Sequence, residues 1–323
     1  MIFNSTRALI LALSLTLQGA VVWAQGWPVH AVKLVVPFPA GTAADVTARL
    51  LGEVMANHLG QAVVVENIPG AGGNVGAQRV AKATADGYTV LFSSSSMANN
   101  MRLFKTPGFD TMNDFIHVGG IGMSDSAVVV HADSGVKTLK DLVERAKAQG
   151  GKISYGSGGV GSGSHLSAAW LLHRAGAQGL HVPFKGGIEA VTALMGQQLD
   201  FVIPVTSVAV AQAKGNKLRM LAVTGPKRNA AAPEVPTLEE SGYPELVVIS
   251  FSGLSVPKAT PPAVVASLSG ALTQALQTPA LRTKLTDLGY TVTPTTSVDY
   301  TKLMAKTIAD TEGMMKAADI SPN

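Results

Sequence analysis

The sequence predicts an α/β protein built from two units in tandem. Three observations carry that reading. Short apolar runs alternate with longer stretches whose apolar positions recur at helical spacing. The alternation runs strand–helix–strand–helix–strand and then restarts after Gly122. A chain of 323 residues also exceeds what one typical core accommodates. Strands separated by helices imply parallel pairing with right-handed crossovers.

In order, Val32–Val36 (VKLVV) reads as a buried strand, and Asp45–Leu59 as a helix carrying Val46, Leu50, Val54 and Leu59 on one side. Ala62–Val65 is a strand, Gly73–Ala83 a helix and Tyr88–Phe92 a third strand. In the second unit, Ala127–Val130, Ile153–Tyr155, His181–Phe184, Phe201–Ile203 and Leu218–Val223 read as strands. Leu139–Lys147, Ser164–His173, Ile188–Leu194 and Val208–Ala213 read as the helices between them. Neither unit is an evident sequence repeat of the other. Gly225–Pro244, rich in Pro, Ala and basic residues, reads as a long surface connection. After it come a strand at Val247–Ser255 and helices at Pro261–Leu276, Pro279–Leu288 and Val298–Lys316. So many helices with so few strands suggest a covering layer packed back on the first unit, with connections near 124 and 224 forming a two-stranded hinge.

The N-terminus reads as a secretory leader. Arg7 gives a positive start, Ala8–Val22 an apolar core, and Val22-Trp23-Ala24 small residues at the first and third positions before Gln25. Cleavage is expected after Ala24. Taking 24 residues from 323 leaves 299, a two-domain length. The stretch is barely long enough for the competing reading, a membrane anchor. Without any Cys the chain has no lipid-modified cysteine, disulfide or thiolate metal site. Once Arg7 is removed, 24 basic residues face 21 acidic ones and are scattered, so there is no dense basic block of the kind nucleic acid favours.

Three strand-to-helix loops stand out. Pro37–Asp45 (PFPAGTAAD) turns tightly into a helix start, where backbone N–H groups form a ready anion site. Asp45 fits equally an ordinary helix cap, and Phe38 fits core packing. Tyr155–His165 (YGSGGVGSGSH) holds Gly156, Gly158 and Gly161 in a GxGxxG pattern. Dinucleotide binding needs an acid at the end of the next strand, and that strand runs into Lys185. What remains is a Gly/Ser cradle for a smaller anion. Pro183–Gly187 (PFKGG) is the third. A fourth Gly-rich turn, Pro69–Asn74, reads as tight turning.

Catalytic signals are weak. Of the seven histidines only His165 and His173 can share a helix, and their spacing lacks the HExxH pattern of a zinc site. GxSxG is incomplete around Ser162 and Ser164. His165 reads as a structural helix residue or as a polar contact at a site. No metal or cofactor is expected.

Taken together, the loops resemble one family: the Bug (TctC-like) receptors, extracytoplasmic solute-binding proteins of the tripartite tricarboxylate transporter system. The matching stretches are VPFPAGTAAD at 36–45, VVVENIPGAGGNVGA at 63–77, ADGYTVLFSSSS at 85–96, YGSGGVGSGSHL at 155–166, VPFKGG at 182–187, QQLDF at 197–201, LAVTGPKR at 221–228 and VPTLEESGYP at 235–244. The resemblance runs from about Val32 to Gly289 and implies a two-domain Venus-flytrap protein of the type II periplasmic class, with residues 25–124 and 225–323 in domain one and 125–224 in domain two. It implies a small carboxylate pinched between loops of both domains. Carried over by position, the contacts are Phe38, Gly41, Thr42, Ala43 and Asp45, joined by Ser94 and Ser95, and from domain two Ser157, Gly159, Ser162, His165, Gly186 and Asp200. Thr42 stands where the family commonly has Gly, Ala44 where it has Ser or Thr, and Glu189 where Pro is frequent.

The expectation is a monomeric, cofactor-free periplasmic receptor whose partners are the carboxylate and the membrane components of a tripartite tricarboxylate-type transporter. Backbone N–H groups of Gly41 and Gly159 are expected to face the anion, and Phe38 and Phe184 to line an apolar slot. Two rivals stay open: a sensor receptor serving a membrane signalling protein, and a secreted α/β serine hydrolase using a Ser near 157–164.

Overall fold

The alternation resolves into two five-stranded sheets. The computed structural model describes residues 26–159, 162–184, 186–244, 249–317 and 320–322. The expected leader and its cleavage point lie outside the described residues.

Sheet one has the order β2-β1-β3-β10-β4, formed by β1 (Val32–Val36), β2 (Val63–Asn67), β3 (Thr89–Ser94), β4 (Phe115–Ser124) and β10 (Ser250–Pro257). Sheet two has the order β7-β6-β8-β5-β9, from β5 (Ala127–His131), β6 (Ser154–Ser157), β7 (Leu180–Pro183), β8 (Phe201–Val202) and β9 (Leu218–Val223). In both sheets the first two strand pairings in that order are parallel and the last two antiparallel. The units therefore do repeat in topology: β1, β2 and β3 correspond to β6, β7 and β8.

Each parallel strand hands the chain to a helix. In lobe one these are α1 (Ala43–Leu59), α2 (Asn74–Ala81) and α3 (Ser95–Leu103). In lobe two, α4 (Leu139–Ala148) precedes β6, and α5 (Gly163–Arg174), α6 (Gly187–Met195) and α7 (Thr206–Ala213) follow β6, β7 and β8. The tail adds α8 (Pro262–Gln277), α9 (Pro279–Asp287) and α10 (Ser297–Ala317). As expected, the tail packs on lobe one, α8 against α1 and β4 and α10 against α3 and β4.

Strand periodicity sets the core. Val32, Leu34 and Val36 face one layer, with Leu51 and Met55 of α1 and Leu268, Leu272 and Leu276 of α8. Val35 faces the other, with Val80, Met97, Tyr300 and Met304. Lobe two is layered likewise, Val128 and Val130 facing α4 and α5, and Ala127 and Val129 facing α6 and α7.

Two elements escaped the sequence reading. α3 begins in a serine run with little apolar signal. β4 carries Gly119, Gly120 and Gly122, which lower strand propensity. Those glycines are required by the 291–295 segment, which runs directly over the strand. A Cβ on Gly119 would stand 2.9 Å from the Thr295 carbonyl oxygen, and one on Gly122 2.7 Å from that of Thr291.

The 225–244 segment is a correction. It is more than a surface connection, because Ala232, Val235 and Leu238 are buried in the lobe-two core and Val223 pairs with Thr237. Packing thus keeps the chain on lobe two beyond the expected boundary at 224/225. Of the strand expected at Val247–Ser255, residues 245–248 lie outside the described residues. Within lobe two, Ser126 N–H donates to Thr224 Oγ1 at 2.9 Å and Thr224 N–H to the Ser126 carbonyl at 2.8 Å. Leu103, Leu166 and Met315 form a buried contact between lobes.

Gly253 sits where a Cβ would collide with the Gly119 carbonyl and the Tyr300 ring. Gly253→Val should therefore lower unfolding free energy by about 3 kcal/mol or more, beyond ordinary overpacking. Gly270, inside α8 with open space around it, is the control: Gly270→Ala should be neutral or stabilise by up to about 1 kcal/mol. Urea unfolding of both variants measures the contrast, and equal midpoints would contradict the packing described.

Candidate functional site

Parallel strands place their following helices at one end of the sheet, so helix N-termini gather there. The first N–H groups of each helix have no intrahelical partner. In lobe one, Thr42 caps α1, its Oγ1 accepting from Asp45 N–H at 3.4 Å and donating to the Pro39 carbonyl at 2.8 Å. The first intrahelical bond runs from Val46 N–H to the Thr42 carbonyl, which leaves the Ala43 and Ala44 amides at the open helix end.

The loop is held from behind by a clasp. Asp45 is buried, and its carboxylate accepts from Gly41 N–H at 2.9 Å and from Asn67 Nδ2 at 2.9 Å while pairing with Arg49 at 3.0 Å. Asn67 also donates to the Phe38 carbonyl at 3.2 Å, and Arg49 to Asn67 Oδ1 at 3.0 Å. Burial alone would raise the Asp45 carboxyl. The hydrogen bonds from Arg49, Gly41 and Asn67, with the Arg49 charge, outweigh it and hold the pKa at about 2.

Ser94 caps α3 without a side-chain bond, and Ser95 opens that helix. Beneath them Ser93 Oγ meets Tyr300 Oη at 3.2 Å and accepts from Ser255 Oγ at 2.9 Å. Ser255 Oγ also contacts His117 Nδ1 at 2.8 Å, and burial holds His117 at about 4.

In lobe two, Ser162 caps α5: its Oγ accepts from His165 N–H at 3.3 Å and donates to the Gly159 carbonyl at 2.8 Å. Gly158 N–H donates to Ser164 Oγ at 3.1 Å and Gly159 N–H to Ser157 Oγ at 3.1 Å. The loop abuts the α6 start, since a Cβ on Gly158 would stand 3.1 Å from Gly187 N. Gly186 caps α6 without a side chain and faces open space. Under the loop, His165 stacks on His181 with ring centroids 3.8 Å apart. Burial, then the neighbouring His181, lower His165 to about 4; burial also lowers His181. Among the described residues no group of three or more His, Asp or Glu is arranged to hold a metal ion, and no helix is long and apolar enough to cross a membrane.

Comparison with known proteins decides the family. The family model described as "Tripartite tricarboxylate transporter family receptor" matches residues 47–320. The chain belongs to this receptor family. The receptor is 32% identical to the periplasmic binding protein BugD, over 92% of this chain and 100% of that one, with TM-score 0.81. It is 30% identical to Rpa4515 of R. palustris, solved with adipate, over 92% and 100% of the chains (TM-score 0.83). It is also 30% identical to MatC from Rhodopseudomonas palustris, solved with malate, over 89% and 99% (TM-score 0.79). The two-lobed periplasmic binding-protein fold is thereby established.

Against this frame the expected contacts of the receptor divide. Phe38, Gly41, Thr42, Ala43, Ser94 and Ser95 lie at the strand ends of sheet one, and Ser157, Gly159, Ser162 and Gly186 at those of sheet two. The Asp45 carboxylate is turned inward and committed to Gly41, Asn67 and Arg49. The N–H groups of Gly41 and Gly159 already serve Asp45 and Ser157. Asp200 is placed elsewhere. Its Oδ2 accepts from Ser154 N–H at 2.7 Å and Ser154 Oγ at 2.9 Å, at the opposite end of β6 from the loop. His165 is buried beneath the loop rather than lining it. Phe38 and Phe184 are half-buried, each packed on its own lobe's core. Sequence reasoning missed Asn67, Arg49, Ser164 and His181. Only Arg49 had a local signal, its four-residue spacing from Asp45 on one helix face.

Stability should fall on acidification in two windows. His117, His165 and His181 have depressed values, so the unfolded chain binds more protons and stability is lost as pH falls from about 6.5 toward about 4. Asp45, ordinarily 3.8 and here about 2, adds a loss between those values. Urea unfolding across pH should show Asp45→Asn flattening only the second window. An unchanged slope there would mean the clasp does not hold the carboxylate ionised.

Proposed function

We propose that this chain is a periplasmic receptor that captures a small carboxylate between its two lobes and delivers it to the membrane components of a tripartite tricarboxylate-type transporter. The observation that carries the reading is the convergence at each sheet end of three helix starts, among which α3 and α6 lack any side-chain cap bond. Membership of the receptor family supports it, as do the adipate and malate of two neighbours.

The chemistry is sufficient without a cation. Charge-assisted hydrogen bonds contribute about 1.5–3 kcal/mol each and a helix terminus up to about 2 kcal/mol. A few together support micromolar binding, about −8 kcal/mol, after the costs of association. The contacts assigned are the Ala43 amide, Thr42, Ser94 and Ser95 from lobe one, and Ser162, the α5 start and Gly186 from lobe two. Gly41 and Gly159 contribute shape. Lobe one comprises about 26–124 and the chain from about 249, with 125–244 forming lobe two; the leader is removed after Ala24, and the mature receptor is a monomer needing no cofactor.

One contact speaks for the hydrolase reading: Ser157 Oγ lies 2.6 Å from His181 Nε2. Ser157 is only 1% exposed and its hydroxyl also bonds both backbone groups of Gly159, which speaks against attack on a substrate carbonyl.

A thermal-shift screen of dicarboxylic, aliphatic and aromatic acids, malate and adipate included, should find a saturable ligand that raises the melting temperature by mass action. Gly41→Val and Gly159→Val should weaken that ligand about tenfold or more, because each adds a branched side chain at a loop whose glycine has positive φ (80° and 115°). Wild-type affinity in both folded variants would refute the site.

The captured acid should also close the molecule. A ligand held by both lobes binds the closed form better, and only that difference shifts the population. Solution scattering should show the radius of gyration falling by roughly an ångström or less at saturation, with the change abolished in Gly159→Val. Identical scattering with and without ligand would exclude an interlobe site of this kind.

A further inference from the structure

Below the lobe-two loop lies a cluster of four rings. Tyr155 of β6 pairs in register with His181 of β7 and Phe201 of β8, so all three side chains stand on one face of sheet two. Ring centroids are 5.6 Å apart for Phe201–Tyr155, 5.1 Å for Tyr155–His181 and 3.8 Å for His181–His165, with planes within 30°, 24° and 12°. Tyr155 and His165 are themselves only 6.2 Å apart, so His181 sits at the corner of a compact triangle of rings, stacked on His165 and flanked by Tyr155.

Its Nε2 reaches Ser157 Oγ at 2.6 Å, two residues along β6 from Tyr155 and therefore on the same face. Ser157 Oγ in turn binds both backbone groups of Gly159, accepting from its N–H at 3.1 Å and donating to its carbonyl at 3.0 Å. Gly159 has φ +115°, in the region glycine favours, and no side chain of its own to hold it there. A serine hydroxyl has one proton and two lone pairs. With its proton on the Gly159 carbonyl and one lone pair on Gly159 N–H, the remaining lone pair takes an N–H from His181. All three capacities are then filled.

We propose that His181 is the positioning residue of the lobe-two ligand loop: held by its stacking on His165 and its contact with Tyr155, it fixes Ser157, which braces Gly159 and so sets the approach of the loop and the α5 start to the ligand. The inference rests on the reading that this loop meets the bound acid. Nothing in it requires His181 to touch the ligand. A neutral imidazole suits the task, since burial disfavours its charged form and the loop gains a donor without a buried cation.

Four full-length variants separate the brace from general packing. His181→Phe keeps a ring in the cluster and removes the donor. His181→Gln places an amide N–H near Nε2 and removes the ring. Ser157→Ala deletes the hydroxyl, and the fourth combines His181→Phe with Ser157→Ala. Two readouts apply: amide hydrogen exchange of residues 157–164 in the ligand-free protein, and affinity for the acid giving the largest thermal shift in the panel above. His181→Phe should speed exchange at Gly159 about tenfold and weaken binding about tenfold, equivalent to losing about 1.4 kcal/mol. His181→Gln should restore both to within about threefold of wild type, about 0.65 kcal/mol. The double variant should be no worse than either single, because both remove the same contact. Melting temperatures identify any variant that is simply unfolded. The proposal is overturned if His181→Phe exchanges and binds as wild type does, if His181→Gln is as impaired as His181→Phe, or if the two single effects add. If Gly159→Val also leaves binding unchanged, the loop is not at the site and the functional reading fails. The exchange measurement still decides the brace by itself.

Discussion

The unpaired N–H groups at the start of an α-helix are the resource around which this molecule is arranged. A parallel strand can join its sheet only by way of a crossover, and a crossover helix begins where its preceding strand ends. Three parallel strands in each sheet therefore bring three helix starts to a single edge. The fold repeats this twice with no evident repeat in sequence, because the requirement is on chain direction and not on particular side chains. The middle junction of each lobe is closed by a hydroxyl cap, Thr42 on α1 and Ser162 on α5. The flanking junctions have no side-chain cap bond. Caps make the central turns rigid, while at α2 and α7 backbone carbonyls take the first amides, Asn74 N–H bonding Ala71, Val75 N–H bonding Gly70 and Thr206 N–H bonding Asp125.

The two central loops solve one mechanical problem with different chemistry. Each contains a glycine at positive φ whose N–H must be satisfied. In lobe one the partner is an ionised carboxylate, and Asp45 needs Arg49 and Asn67 to remain charged where it is buried. In lobe two it is a neutral hydroxyl supported by His181. Neither lobe thereby presents a bare charge through this device. Arg49 is spent on Asp45, and the Asp45 charge is screened by three donors before any ligand meets it.

Much of the fold was legible because strand and helix periodicities differ sharply. VKLVV at 32–36 could only be a strand with two buried faces, and the 45–59 spacing could only be a helix. β4 was hidden because its glycines answer to Thr291 and Thr295, some 170 residues away in sequence, and only the packed molecule shows why side chains are excluded. The 225–244 segment misled because Pro and Ala signal turning but do not reveal that Val235 and Leu238 lie in a core. At the site, loops were located by their glycines, whereas roles were not. A buried Asp on a first helical turn reads as a cap or a contact. Only the Asn67 amide, brought alongside by β2, shows that it is a clasp. His181 carried no signal at all, since its meaning lies in register with Tyr155.

Recognition by helix starts has a consequence for selectivity. The field of a helix terminus fades within its first turn, so it reads the one group that reaches it and is indifferent to the rest of the molecule. A guanidinium would attract any anion from further away and would bring a desolvation cost of its own. Amides and hydroxyls instead demand contact and direction. On the proposed reading, the acid group is recognised by backbone geometry and the remainder of the ligand is left to side chains. In this chain the half-buried Phe38 and Phe184 sit beside the two loops, each anchored in its own lobe. Because each ring moves with its lobe, what lies between them is defined only when the lobes approach. On the proposed reading, specificity for the non-acidic part of a ligand then belongs to the closed state.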